Sequence, residues 1–306
     1  MSPMKLNVAQ AGMCFGIERA YKMTDRLAAK TPRLHAGHKC SGEHKNADWD
    51  TFNRIERGDK VLLERYPNLK KLTIVHDDSE LSDGDELAIG YHGFTPERMA
   101  DLRQRGVKLH DYMCPFISRM HDTAEKLAGE GFDIIAFGKL LNHHTTFCQR
   151  AAERLGRVGL IAEDIDEIDA LLDDPARNWA CVGQVTGNVE KWTRFAQALK
   201  LRGIPIHLVD TVCTDSHDRQ GEARRLAAAS DIVVLVDDGG GASISVLEAV
   251  QSANERVYRT GTNMPLQRQW FEGVTSVAVV GGIMVPSWVL SEVAESIQDM
   301  MLDTAS

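Results

Sequence analysis

Short apolar runs, each followed by a turn and then by an amphipathic stretch, recur along the whole chain. Three of the runs lead to a cysteine: Leu6–Ala9 before Cys14, Val107–Cys114 (VKLHDYMC), and Ile204–Cys213 (IPIHLVDTVC). These cysteines lie 100 and 99 residues apart in a chain of 306, close to thirds, and such a fixed interval marks an internal repeat. After each cysteine the pattern predicts a helix (Ile17–Ala29, Ile117–Leu127, Arg219–Ala229) and then a strand starting at Leu34, Asp133 and Asp231. Two of these strands, DIIAF and DIVVLV, are apolar almost throughout, as suits strands covered on both faces. Each repeat closes with a further strand (Glu86–Gly90, Ala180–Gly183, Ser276–Val280), a glycine-bearing turn and a helix (Thr95–Arg105, Val189–Leu201, Pro286–Met300). Thr95 and Pro96 supply an N-cap and a first-turn proline.

Alternation of strand and helix implies parallel sheets joined by right-handed crossovers. The expected fold class is therefore α/β. Three α/β/α units with mainly parallel sheets, approximately 4–106, 107–203 and 204–306, form a trilobed pseudo-threefold arrangement within one enzyme spanning 1–306. Trp49–Asp83 and Gly159–Asn178 are read as insertions, the second as an acid-rich surface helix. A formal net charge of −9 argues against nucleic acid or an anionic membrane as partner, since both need a basic face. No apolar run approaches the roughly 20 residues of a membrane span, and the N-terminus has no signal layout, so a cytoplasmic location is expected. Six cysteines (14, 40, 114, 148, 181 and 213) without any CxxC pair suit neither a disulfide framework nor a zinc ribbon.

Function in parallel α/β units gathers at the carboxyl ends of strands, where Cys14, Cys114 and Cys213 stand. Pseudo-threefold symmetry would bring the three to one centre. Three thiolates there suit a soft metal site, and a [4Fe–4S] cluster on three cysteines leaves one iron open to a substrate oxygen. Cys40, Cys148 and Cys181 occupy no equivalent positions and are read as plain thiols. The stretches GMCFGIERA, DYMCPF and DTVCTDSHDRQ together resemble the three cluster motifs of the IspH/LytB family, 4-hydroxy-3-methylbut-2-enyl diphosphate reductase. That resemblance, which runs over nearly the whole chain, implies the trilobed fold and a three-cysteine [4Fe–4S] cofactor. It also implies reductive removal of an allylic hydroxyl, with electrons from ferredoxin or flavodoxin.

The resemblance also implies pocket residues. His44, with His38 the competing choice, and His92 are expected to orient a small-molecule substrate. His143, with His144 the neighbouring choice, stands where the family has its third histidine. Thr145 stands where the family has a glutamate that delivers protons, so His143 and Thr145 are the expected relay. Thr186, Ser243 and Ser245 are expected to bind substrate. The departures cluster at the phosphate end: Gly241 and Ala242 replace hydroxyl-bearing residues, Gly239 a lysine and Met284 a serine, while Asp237 and Asp238 add charge. Each lost hydrogen bond to a charged group is worth roughly 1.5–3 kcal/mol. The expectation is therefore a reductive dehydroxylase, or a related dehydratase, acting on something other than the usual diphosphate. The diphosphate reductase itself and a non-catalytic iron–sulfur redox sensor are the alternatives.

Overall fold

In the computed structural model, which describes residues 4–37, 55, 58–168, 177–202, 205–237, 243–261 and 264–302, the repeats become three four-stranded sheets in which every strand pair is parallel. The first contains β2 (Leu34–Gly37), β3 (Thr73–Val75), β4 (Glu86–Ile89) and β5 (Lys108–Asp111), in the order β3-β2-β4-β5. The second contains β6 (Asp133–Phe137), β7 (Gly159–Ala162), β8 (Trp179–Gly183) and β9 (Ile206–Val209), in the order β7-β6-β8-β9. In the third, β10 (Ile232–Val236), β11 (Val257–Thr260) and β12 (Ser276–Gly281) are completed by β1 (Lys5–Val8), giving β11-β10-β12-β1. All three orders are the same once β1 stands in for a fourth strand.

That substitution shifts the sheets against the sequence repeats. The strand leading to each cysteine is the edge strand of the preceding repeat's sheet, and β1 joins the last repeat's sheet by pairing Lys5–Val8 with Ser276–Val279. Helix α1 (Phe15–Ala28) follows β1; α2 (Lys60–Arg65) and α3 (Pro96–Gln104) belong with the first sheet. Helices α4 (Pro115–Gly129), α5 (His143–Arg154), α6 (Val189–Leu201) and α7 (Thr214–Ala228) follow β5, β6, β8 and β9. Helices α8 (Ile244–Gln251) and α9 (Ser287–Leu302) complete the described set. The chain divides into two compact units: Met1–Cys114 with Ser230–Ile244 and Arg256–Ser306, and Pro115–Ala229 with Ser245–Glu255.

The central strands β6, β8 and β10 are buried at every residue, as suits strands covered by helices. In the second unit Ile135, Phe137 and Trp179 pack on Trp192, Phe195 and Leu199 of α6, with the Phe137 and Phe195 rings 4.4 Å apart. Polar caps set where the helices begin: Thr95, Asn142 and Asn188 accept hydrogen bonds from the amides of Arg98, His144 and Lys191. Both presumed insertions contain edge strands instead. Gly159–Ala162 is β7, paired with Ile134–Phe137, rather than the start of a surface helix; a 3-10 turn at Ile165–Glu167 follows, capped by Asp164. The strand itself, GLIA, carries no acid; the acid-rich run begins only at Glu163, past its end.

Candidate functional site

Each cysteine is seated by the same backbone bond. The amide of Cys114 donates to Tyr91 O (2.8 Å), that of Cys213 to Val185 O (3.0 Å), and that of Cys14 to Ile283 O (2.8 Å). Each acceptor lies two residues beyond the third strand of its own sheet: β4 ends at Ile89, β8 at Gly183 and β12 at Gly281. Cys14 and Cys213 are the N-cap residues of α1 and α7, and Cys114 directly precedes α4. A helix N-terminus favours negative charge on such a group. Two of the loops share a further device: Asp111 Oδ1 accepts from Met113 N–H (2.9 Å) and Asp210 Oδ1 from Val212 N–H (3.0 Å), Asx turns that deliver the chain to its cysteine.

Within the first unit, α1 packs close against the loop of Cys114. Arg19 donates to the carbonyls of Tyr112 and Met113, both at 3.2 Å. Gly16 stands so near that a Cβ built on it would lie 2.7 Å from Cys114 Sγ. Two cysteine turns a hundred residues apart in sequence are thereby brought side by side. The residue after each seating carbonyl differs: His92 and Met284 in this unit, Thr186 in the other. Tyr91 O–H reaches Met284 Sδ at 3.1 Å in a buried contact, and the Tyr91 and His92 rings lie 4.0 Å apart. Ser243, expected on substrate, accepts from Ile283 N–H (3.1 Å) and so braces the turn that seats Cys14. Asp237 is ion-paired with Arg259, so the acid expected to add bare charge is matched by a cation. His44, like His38, Cys40, Asp238, Gly239, Gly241 and Ala242, lies outside the described residues.

In the second unit, Cys213 Sγ receives the Ser216 amide at 3.3 Å and lies 3.1 Å from the Ser216 hydroxyl. Ser216 escaped the sequence reading; its amide is the one that the N-cap side chain of Cys213 accepts from. Gln184 was also missed. Its buried amide accepts from Lys139 N–H (2.9 Å) and donates to Thr186 Oγ1 (3.2 Å). Ser245, also expected on substrate, donates its hydroxyl proton to Thr186 O (2.8 Å) and so braces that turn. Thr145 is fully buried, and its hydroxyl points at the carbonyls of Lys139 (2.7 Å) and Asn142 (2.8 Å). A hydroxyl has one proton, and here it serves the turn. His143 and His144 open α5 with their rings 3.7 Å apart.

The donor set suits an iron–sulfur cluster. Cys14, Cys114 and Cys213 stand in equivalent turns, none of them in a disulfide, and N–H···S bonds of the kind at Cys213 are a normal part of cluster ligation. Cys148 and Cys181 form no disulfide either, but burial pushes their thiols far up and keeps them protonated. A family model described as LytB protein matches residues 6–298. The chain belongs to the LytB family. A relative from Campylobacter concisus named 4-hydroxy-3-methylbut-2-enyl diphosphate reductase is 25% identical over 300 residues, 96% of this chain and 99% of the relative. Another of that name from Syntrophotalea carbinolica is 27% identical, covering 97% and 99%. The LytB fold is evident in the solved structure of E-1-hydroxy-2-methyl-but-2-enyl-4-diphosphate reductase from Plasmodium falciparum, with a TM-score of 0.77 and 17% identity over 96% of this chain and 87% of that one. As a LytB protein the chain is an enzyme of the reductase type, which sets aside the sensor reading. Among the described residues no helix is long and apolar enough to cross a membrane.

Proposed function

We propose that this LytB protein is a [4Fe–4S]-dependent reductase, working in the reducing cytoplasm, that removes a hydroxyl from a small allylic alcohol carrying no diphosphate. The observation that carries the cluster assignment is the threefold repetition of the seating bond at Cys14, Cys114 and Cys213. When bound, the cluster would supply electrons and an open Lewis-acidic iron for the hydroxyl oxygen. The overall change balances as R–OH plus two electrons and two protons giving R–H and water. A ferredoxin or flavodoxin suits the electron supply, one electron at a time.

The chain's own residues do the rest. His143, at the mouth of α5, is the proton-delivering group, since the Thr145 hydroxyl is committed to its turn. Thr186, with Gln184 holding its oxygen, presents its proton to a substrate oxygen. His92 orients the substrate, with His44 as a further orienting group. Ser243 and Ser245 act indirectly, by bracing the turns that seat Cys14 and carry Thr186. Met284 supports the choice of an uncharged substrate. It occupies the position equivalent to His92 and Thr186, yet it is buried against the Tyr91 hydroxyl and offers a phosphate nothing.

Relatives named for the diphosphate align over nearly the full chain, which supports the alternative that the diphosphate itself is reduced. One assay separates the two. After anaerobic reconstitution and iron–sulfide counting, turnover with reduced ferredoxin is compared for 4-hydroxy-3-methylbut-2-enyl diphosphate and for its dephosphorylated diol. Preference for the diol is expected. A strong preference for the diphosphate, with rescue of a strain lacking that reductase, would establish the alternative. Failure of the three cysteines to hold iron would overturn both.

A further inference from the structure

Helices α4 and α5 pack together within their unit, and their contact contains more chemistry than the single histidine at the mouth of α5. His121, on α4, is buried and stacks on Phe147 of α5, with centroids 3.7 Å apart and planes 14° from parallel. Its Nε2 lies 3.2 Å from Nδ1 of His144. His144 is 2% exposed, its own amide donates to Asn142 Oδ1 at 2.9 Å, and its ring leans on that of His143. Three imidazoles therefore run in contact from the middle of α4 to the first residue of α5.

A hydrogen bond between two imidazole nitrogens needs one donor and one acceptor. Burial, with the charge of nearby His143 adding to it, holds His121 down to about 3, so it stays neutral at working pH. A protonated His144 carries N–H on both nitrogens, and only an accepting His121 Nε2 can then keep the bond. The arrangement that serves both protonation states is thus His144 Nδ1–H donating to His121. In it the remote Nε2 of His144 gains or loses a proton without any ring flip.

We propose that His121 is a positioning residue that pins His144 as its Nδ1–H tautomer and, through the ring contact, holds His143 in place for proton delivery. The catalytic part of this proposal rests on the reductase reading; the structural part does not. The test uses the full-length, cluster-loaded protein with His121→Phe, which keeps the ring on Phe147 but removes the nitrogen, and His121→Gln, which restores an acceptor near Nε2.

Nitrogen NMR of histidine-labelled wild type should show His144 Nδ1 protonated, and His121→Phe should release it to a tautomer mixture. Turnover of the diol should fall by about tenfold to a hundredfold in kcat, as when a histidine loses its orienting partner, with KM nearly unchanged and partial recovery in His121→Gln. An unprotonated His144 Nδ1 in the wild type overturns the proposal without recourse to any variant. So does a His121→Phe protein whose kcat and His144 signals match the wild type, or one whose only change is lost iron. If the wild type reduces no allylic alcohol, the reductase reading fails, while the tautomer measurement still decides the positioning role.

Discussion

The three cysteine turns and the three residues that follow their seating carbonyls make an instructive pair of regions. The turns are alike: the amides of Cys14, Cys114 and Cys213 all donate to a carbonyl two residues past the third strand of a sheet. The following residues, Met284, His92 and Thr186, share neither charge, shape nor hydrogen-bonding capacity. Backbone bonds made by a thrice-repeated topology are insensitive to side-chain identity, so the seat for the sulfurs persists. The side chains that follow the seating carbonyls take no part in those backbone bonds, and they diverge.

The sharpest break of this comparison comes from the turns. Cys114→Ser should lose most of its iron and about a hundredfold or more in activity, whereas Cys181→Ala should keep its iron and lose only about 1–2 kcal/mol from its cavity. Iron analysis beside thermal melting separates these outcomes; equal iron in the two variants would erase the distinction between seated and merely buried cysteines. On the other region, Met284→Ser restores one hydroxyl and should shift preference towards the diphosphate over the diol by about tenfold or more, the worth of one hydrogen bond to a charged group. Competition kinetics with both substrates measures the ratio, and an unchanged ratio would deny Met284 its part in selectivity.

Gly16→Ala probes the seat from its neighbour. A methyl group 2.7 Å from Cys114 Sγ forces a shift, so a loss of about 1–3 kcal/mol in melting and a reduced iron content are expected. The smallest effect concerns His121. Its proton is bound near 6.5 in the unfolded chain and near 3 in the folded one, so the unfolded state holds more protons between those values. Folding stability should therefore be unaffected by this group above about pH 6.5 and fall by about 1 kcal/mol per pH unit below it. Denaturant melts of the wild type and His121→Phe at pH 7 and pH 5 would show the slope in the first and its absence in the second.

Much of this architecture was legible beforehand because long apolar strands and well-capped helices carry their own signal. Asp133–Phe137 and Val189–Leu201 have the expected bounds, and Thr95 caps its helix as anticipated. The edge strands β3, β7 and β11 escaped because three or four residues make too short a period to register, and they become strands only by pairing with β2, β6 and β10. The closure of the third sheet by β1 was likewise hidden. Nothing local to Lys5–Val8 names Ser276–Val279 as its partner.

The same division runs through the site. The interval between Cys14, Cys114 and Cys213, and the residue types around them, are properties of the chain in one dimension, so the fold class could be read there. The direction of a hydroxyl proton is not such a property. Thr145, expected in the relay, and Ser245, expected on substrate, both reach backbone carbonyls that only the fold brings within hydrogen-bonding distance. His121, Gln184 and Ser216 looked like ordinary helix and turn residues until packing set them against His144, Thr186 and Cys213. Periodicity is written along the chain, but a polar group's role depends on which partner is nearest, and only tertiary contacts decide that.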